Sequence, residues 1–309
     1  MPTFAQGSRS SLRYVVESTF GTTPTVDVSN PGIVLPFTSH GLNLTKDLVA
    51  GTDIQADRMP RHERHGNKQS AGDIVCDLRE LDFDPFLESV MLSAWDTNVL
   101  KVGTSPKYFS IEDYSADIDQ ARLFTGQTVS TMGVSIAPNQ MVTATFGMVG
   151  KGMSISNTQF SDETASSTNS PFDAYSGDLQ IGNNVAGLTS SAIITQIDFN
   201  VTNSFAPTFV VGSDETPALE VGRAEVTGSF SAYFEDATLI NRFLNEEATA
   251  IQVSVQDPSA NSLTFLFPRV KINSADVGVD GPTSRVISMG FTALYDTTEA
   301  TNLKITRSS

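Results

Sequence analysis

In four separate stretches the chain alternates apolar with small polar residues at a period of two, and no other feature constrains its fold as tightly. Ile74, Cys76 and Leu78 alternate with Asp73, Asp77 and Arg79, and Val142, Ala144, Phe146 and Met148 with Thr143 and Thr145. Later, Val226, Phe230, Ala232 and Phe234 oppose Thr227, Ser229, Ser231 and Tyr233, while Ile287, Met289, Phe291 and Ala293 oppose Ser288 and Thr292. Successive side chains of an extended strand point to opposite faces, so each stretch reads as a half-buried antiparallel strand. The chain is therefore expected to be mainly β.

Two segments read as helix. Asp84 can cap and Pro85 suits the first helical position, with Phe86, Leu87, Val90 and Met91 on one face. Asp236 or Thr238 can cap the second, whose apolar face is Leu239, Ile240, Phe243 and Leu244. Each helix follows a strand that opens on glycine, at Gly72 and Gly228, and each is followed in turn by another alternating strand. This is the pattern of a two-copy internal repeat, strand, helix, then strands.

Between these units the order is weaker. Residues 46–68, KDLVAGTDIQADRMPRHERHGNK, show neither period, which predicts a long functional or mobile loop. Residues 156–171 are Ser/Thr-rich. Within the following piece, one strand is expected from Ala192 to Val201. The division that results is a β-domain from 1–155 and 218–309, holding both strand-helix-strand units and two terminal arms, with 156–217 as an insertion or sheet extension. The arms, 1–7 and 297–309, are expected to order only against a neighbour.

Composition excludes several functions. With 19 Lys plus Arg against 35 Asp plus Glu the formal charge is -16, which should repel nucleic acid over most of the surface. Nineteen Phe suffice for a sizeable core, and the 17% charged residues are too few for a disordered chain. No stretch is long and apolar enough for a membrane helix, and the opening residues lack an export signal's apolar region, so neither membrane insertion nor export is expected. The single Cys76 allows no internal disulfide, which fits synthesis in a reducing cytoplasm. Asn43-Leu44-Thr45 and Asn200-Val201-Thr202 match the glycosylation pattern and are read as chance.

No catalytic or cofactor constellation stands out, and no cofactor or metal is expected. His62 and His65 make a bare HxxH without further ligands nearby. Gly147-Met-Val-Gly-Lys-Gly has the wrong spacing for a phosphate loop and reads as a turn. Asp276-Val-Gly-Val-Asp-Gly lacks a calcium loop's third-position ligand and its closing Glu. Trp95 is expected in the core or an interface. One anomaly remains: Arg58, Arg61, His62, Arg64, His65 and Lys68 gather in one stretch of an acidic chain, with no aromatics for base stacking. A basic arm of this kind suits the acidic body of another copy.

The run Gly7-Ser-Arg-Ser-Ser-Leu-Arg-Tyr-Val-Val-Glu-Ser-Thr-Phe-Gly-Thr-Thr-Pro resembles the start of major tail tube proteins of long-tailed, non-contractile (siphovirus-type) bacteriophages. So do Val226-Thr-Gly-Ser-Phe-Ser-Ala-Tyr-Phe-Glu-Asp, Phe267-Pro-Arg-Val-Lys-Ile, Phe291-Thr-Ala-Leu-Tyr-Asp and the segment from Gly72 to Leu92. The resemblance implies a tail-tube-type β-sandwich that contributes strands to an intersubunit β-barrel, with one or two flanking helices and long loops or arms. It implies a structural virion protein of the tail, assembled as hexameric rings stacked into a hollow tube for DNA. Implied partners are further copies of the chain, a tape measure protein, a tail terminator and tail tip proteins, with DNA in transit and not specifically bound. The implied lumen-lining candidates are Asp73, Asp77, Thr143, Thr145, Thr227, Ser229, Ser231, Glu235, Ser288 and Thr292. The basic stretch becomes an inter-ring loop. Alternatives are a tail terminator or capsid-associated protein and, further off, a carbohydrate-binding β-sandwich module; an enzyme is not expected.

Overall fold

The computed structural model describes residues 4–54, 56, 57, 59–191, 193–279 and 284–308. Its first half contains β1 (Ser10–Glu17), β2 (Gly32–Leu35), β3 (Ser39–His40), β4 (Asn43–Ala50), β5 (Glu63–Asp77) and helix α1 (Asp84–Met91). Then come β6 (Val99–Lys101), β7 (Tyr108–Ser115), β8 (Gln120–Ile136), β9 (Thr143–Gly150), β10 (Gly152–Ser156) and β11 (Glu163–Thr164). The second half begins with β12 (Asp173–Gly182), β13 (Thr189–Ser190), β14 (Ile194–Thr202), β15 (Ala206–Thr208), β16 (Ala218–Glu220) and β17 (Glu225–Tyr233). It ends with helix α2 (Thr238–Leu244), β18 (Thr249–Gln256), β19 (Ser262–Val277), β20 (Val286–Ala293) and β21 (Lys304–Arg307). The molecule is mainly β, as its alternation requires.

Pairing shows that the two halves are the same arrangement twice. β5 pairs β9 and β9 pairs β8, just as β17 pairs β20 and β20 pairs β19. The long strands β8 and β19 each take a hairpin partner along their first half, β7 and β18. Those hairpins are flanked in turn by β1 and β12, and β10 and β21 cover the other side of the same first halves. Even the irregularities recur: one extra residue sits in β8 between Val129 and Thr131, and one in β19 between Ile272 and Ser274. Both bulges face a glycine, Gly147 or Gly290, where a Cβ would collide with the side chains of the bulged strand.

The glycosylation-like triplets fall into place here. Asn43-Leu44-Thr45 lies opposite Ala71-Ser70-Gln69, and Asn200-Val201-Thr202 lies opposite Thr227-Val226-Glu225. Since Gly72 and Gly228 hold the same register against β9 and β20, the triplets occupy equivalent positions of the repeat.

The halves join edge to edge. β14 pairs β17 on one side and β8 on the other, in the register Phe199 to Val134, Asn200 to Gly133, Val201 to Met132 and Thr202 to Thr131. One sheet therefore runs β4-β5-β9-β8-β14-β17-β20-β19 across both copies. Residues 156–217 supply β14 to the middle of this sheet and β12 to the flank of β18.

The core lies behind the sheet. Phe86 of α1 packs against Tyr14 and Phe109 on one side, at ring distances of 5.2 and 4.9 Å, and against Phe146 on the other, at 5.5 Å. In the second half Phe199, Phe265, Phe267 and Phe291 do the same work, linked by centroid distances of 5.0 to 5.5 Å. Rings in this range add edge and offset attractions to their burial.

Several sequence expectations change. The cap of α1 is Phe83 and not Asp84, whose carboxylate instead receives a hydrogen bond from Arg307. In α2, Ala237 precedes the helix while the Asp236 carboxylate, as expected of a cap, accepts from the Thr238 N–H at 2.7 Å; Leu244 is exposed, so the apolar face is only Leu239, Ile240 and Phe243. The C-terminal arm is not waiting for a neighbour. β21 is paired on both sides, to β19 and β6, with Leu303 and Ile305 fully buried and Arg307 stacked 4.6 Å over Trp95. Of the N-terminal arm, 1–3 lie outside the described residues, Phe4 is exposed, and order begins by Gly7–Arg9.

Candidate functional site

The alternation that buries one side of the eight-strand sheet leaves the other side polar. Rows across it follow from register: Val75, Thr145, Gly133, Asn200, Thr227, Thr292 and Lys271 form one, and Asp77, Thr143, Ser135, Asp198, Ser229 and Gly290 the next. Gln196, Ser231, Ser288 and Asp276 continue the series. Small side chains dominate, so the face is nearly flat. A depression of about 470 Å³ lies over the junction of β8, β14 and β17.

Of the residues singled out in the sequence, Asp73, Asp77, Thr143, Thr145, Thr227, Ser229, Ser231, Ser288 and Thr292 share this face. Glu235 lies past the end of β17. The lumen-lining candidates read from the sequence omit Asn200, Asp198, Ser135 and Asp276: β14 alternates strictly from Ile197 to Thr202 but was read as part of an insertion, and in β19 the bulge between Ile272 and Ser274 interrupts the period. Ser135 and Gln196 both donate to Asp198, at 2.5 and 2.6 Å, so this carboxylate is held in place across the seam between the two halves.

The face is electrostatically one-sided. Asp73, Asp77, Asp198, Glu225 and Asp276 stand on these paired segments with Lys271, whose ammonium is spent on the Glu246 carbonyl and lies 4.0 Å from its carboxylate, while at the margins Arg223 is paired with Glu225 and Arg269 is exposed on β19 two residues before Lys271. Among the described residues no aromatic ring stands on the face between β5 and β19 except Tyr233 at the end of β17. Such a surface offers a passing polyanion neither cationic nor stacking footholds.

Two sheet edges remain open. β3 and β4 pair only with β5, and the second half of β19, Lys271 to Val277, pairs only with β20. Among the described residues no other strand pairs with their free sides. Open edges present unpaired backbone groups and are normally covered or paired with another chain.

The basic stretch is only partly a loop: Arg61 and His62 lie outside strands, but Arg64, His65 and Lys68 lie on β5. Residues 43–50 and 63–71 form a hairpin that extends β4 and β5 beyond the sheet, with Ala50 opposite Glu63. β4 from Thr45 on and β5 from Glu63 to His65 are exposed and 66–69 are only half-buried, so no apolar buried face imposes alternation, and the hairpin was illegible. Arg61 pairs with Asp57 at 2.7 Å, and His62, Arg64 and His65 are exposed beside Leu48, Val49, Ile54 and Met59. Lys68 is already engaged, 3.2 Å from Asp214 and 3.1 Å from Glu215, which raises its pKa. Arg58 lies outside the described residues, as does Asp280 of the calcium-like motif.

Titratable groups elsewhere serve structure. His40 stands 3.7 Å from Asp113, which also receives Arg122. Burial works against the Asp113 charge, but His40 and Arg122 outweigh it and hold its pKa below the usual carboxylate value. Burial pushes the Cys76 thiol up and leaves it inert. Among the described residues no three His, Cys, Asp or Glu gather as metal ligands, and no helix is long and apolar enough to cross a membrane.

A family model described as phage tail tube protein matches residues 7–293, spanning both halves and the seam between them. No curated protein matches the chain.

Proposed function

The chain belongs to the phage tail tube protein family, and from that premise we propose that its copies close into rings, which stack into the hollow tail tube that carries DNA out of the virion. One observation carries the reading: a single sheet with a small-residue, acidic polar face and an open edge at each end. A sheet with two open edges becomes a closed barrel when copies pair in a circle, and closure removes the edges. With the polar face inward, the bore is walled by Asp73, Asp77, Thr143, Thr145, Thr227, Ser229, Ser231, Ser288 and Thr292, joined by Asp198 and Asp276. DNA then slides because nothing on the wall releases its counterions. Glu235 would stand at the rim.

The protruding hairpin suits the contact between rings. Its exposed apolar residues and Arg58, Arg61, His62, Arg64 and His65 would meet an acidic neighbour, whereas Lys68 is committed within its own chain. In the virion the tube would also meet a tape measure protein inside and terminator and tip proteins at its ends.

Negative-stain microscopy of concentrated purified protein tests the reading. Long hollow tubes are expected. Closed shells would favour a capsid role, and monomers at every concentration would overturn assembly.

A further inference from the structure

We propose that each chain is a fused pair of tube units and that rings close by repeating, between chains, the strand pairing already present inside each one. The proposal rests on the tube reading above. Within the chain, the second half of β8 in the first copy takes β14 of the second copy on its free side. The counterpart of β8 is β19, and its second half is the open edge at one end of the sheet. The counterpart of β14 is β3 with β4, the open edge at the other end. One chain's β19 therefore presents to the next chain's β3 and β4 the surface that β8 presents to β14.

The bulges and glycines fix the register. Thr131 and Ser274 both oppose the bulge glycine, and Asn200 and Asn43 occupy the same place in their triplets. Translating the internal pairs gives Leu42 opposite Val277, Asn43 opposite Asp276, Leu44 opposite Ala275 and Thr45 opposite Ser274 of the adjacent chain. Burial carries the signature of this missing partner. Val201, Met132 and Val134 at the internal seam are at most 2% exposed. Their counterparts Leu44, Ala275 and Val277 are only half-buried, on the same core-facing side. On the polar side, exposed Asn43 meets exposed Asp276, an amide donor opposite a carboxylate acceptor.

Bore width then sets the number of chains. Eight strands per chain, spaced about 4.8 Å and tilted about 40°, give two chains a clear bore of about 22 Å after side chains, three chains about 38 Å and four about 54 Å. A duplex about 20 Å across leaves about 1, 9 and 17 Å of clearance at the wall, and only the middle value matches the Debye length of about 8 Å over which an anionic wall can centre it. Three chains complete the ring, sixfold in its units and threefold in its chains, in place of six separate copies.

The test is cross-linking of assembled tubes carrying Asn43→Cys and Asp276→Cys together, treated with a short bis-maleimide and dissolved in detergent. Both sites are exposed, and native Cys76 is buried and unreactive. The two positions stand at opposite ends of one chain's sheet, so any product joins neighbours. Covalent species of two and three chains and none larger are expected, with neither single variant giving them. A ladder reaching six chains would overturn the count, and tubes of normal appearance with no cross-link would overturn the register. Failure to form tubes at all, for the unmodified protein, would instead sink the tube reading beneath it. Averaged end-on views supply the second measurement, with threefold symmetry expected and strict sixfold symmetry contradictory.

Discussion

The same substitution at two equivalent positions should have opposite consequences. Val201 is fully buried at the seam between the halves, whereas Leu44, its counterpart, lies half-buried on an open edge. Val201→Asp removes about 2 kcal/mol of apolar burial and places an unpaired carboxylate among Met132 and its neighbours, at a further cost of at least about 3 kcal/mol. A total near 5 kcal/mol equals the whole stability of many domains, so this variant should lose its cooperative urea transition. Leu44→Asp leaves its carboxylate in water, costs about 1 kcal/mol, and should unfold nearly as the unmodified chain does. Only on ring closure would that carboxylate be trapped against Ala275 and Val277, repeating the penalty at every junction. Urea unfolding followed by circular dichroism, with sedimentation of tubes, separates the two effects. Tubes from Leu44→Asp at ordinary yield, or equal destabilisation by both variants, would refute the argument from equivalence.

Replacing Asp73, Asp77 and Glu235 together by Lys should leave tubes intact but impair DNA delivery; unchanged infectivity of phage carrying the variant would remove the anionic wall as an explanation. Deleting 304–309 should cost at least about 5 kcal/mol, since Ile305 is buried and Leu100 and Phe265 lose their covering strand, and a soluble, cooperatively folded product would contradict this. Asp113→Asn should destabilise by about 3 kcal/mol at pH 7. The folded pKa of Asp113 is lowered from 3.8, so its contribution is present above that value and lost as pH falls through the lower, folded one. The gap between variant and unmodified protein should therefore narrow as the pH falls below 3.8, and a constant gap down to about pH 2 would exclude the ion pair as its source. Deleting Ala56 to Gly66 should abolish tubes while sparing the subunit's cooperative unfolding.

What could be read in the sequence follows from where a strand is buried. β5, β9, β17 and β20 each have one face on the core and one on the polar side, and their alternation showed at once. The hairpin beyond Asn43 and Ala71 has no apolar buried face, so its strands looked like a loop. β21 has only four residues, too few to show a period, and its anchoring depends on β6 and β19, which are remote in sequence. The repeat was visible through Gly72 and Gly228, but its extent was hidden because the equivalent strands are separated by unequal connections. Two Asn-apolar-Thr triplets held the missing register, and only pairing could show that they were equivalent. Edge positions such as Leu44 and Val277 are a property of the whole sheet, and no local pattern announces them.

A cryo-electron microscopy map of assembled tubes bears most directly on the central claim. It should show sheets continuous from chain to chain, with Asp73, Asp77, Asp198 and Asp276 on the inner wall. Protomers that satisfy every strand edge within themselves, or a bore ringed with arginine, would contradict it.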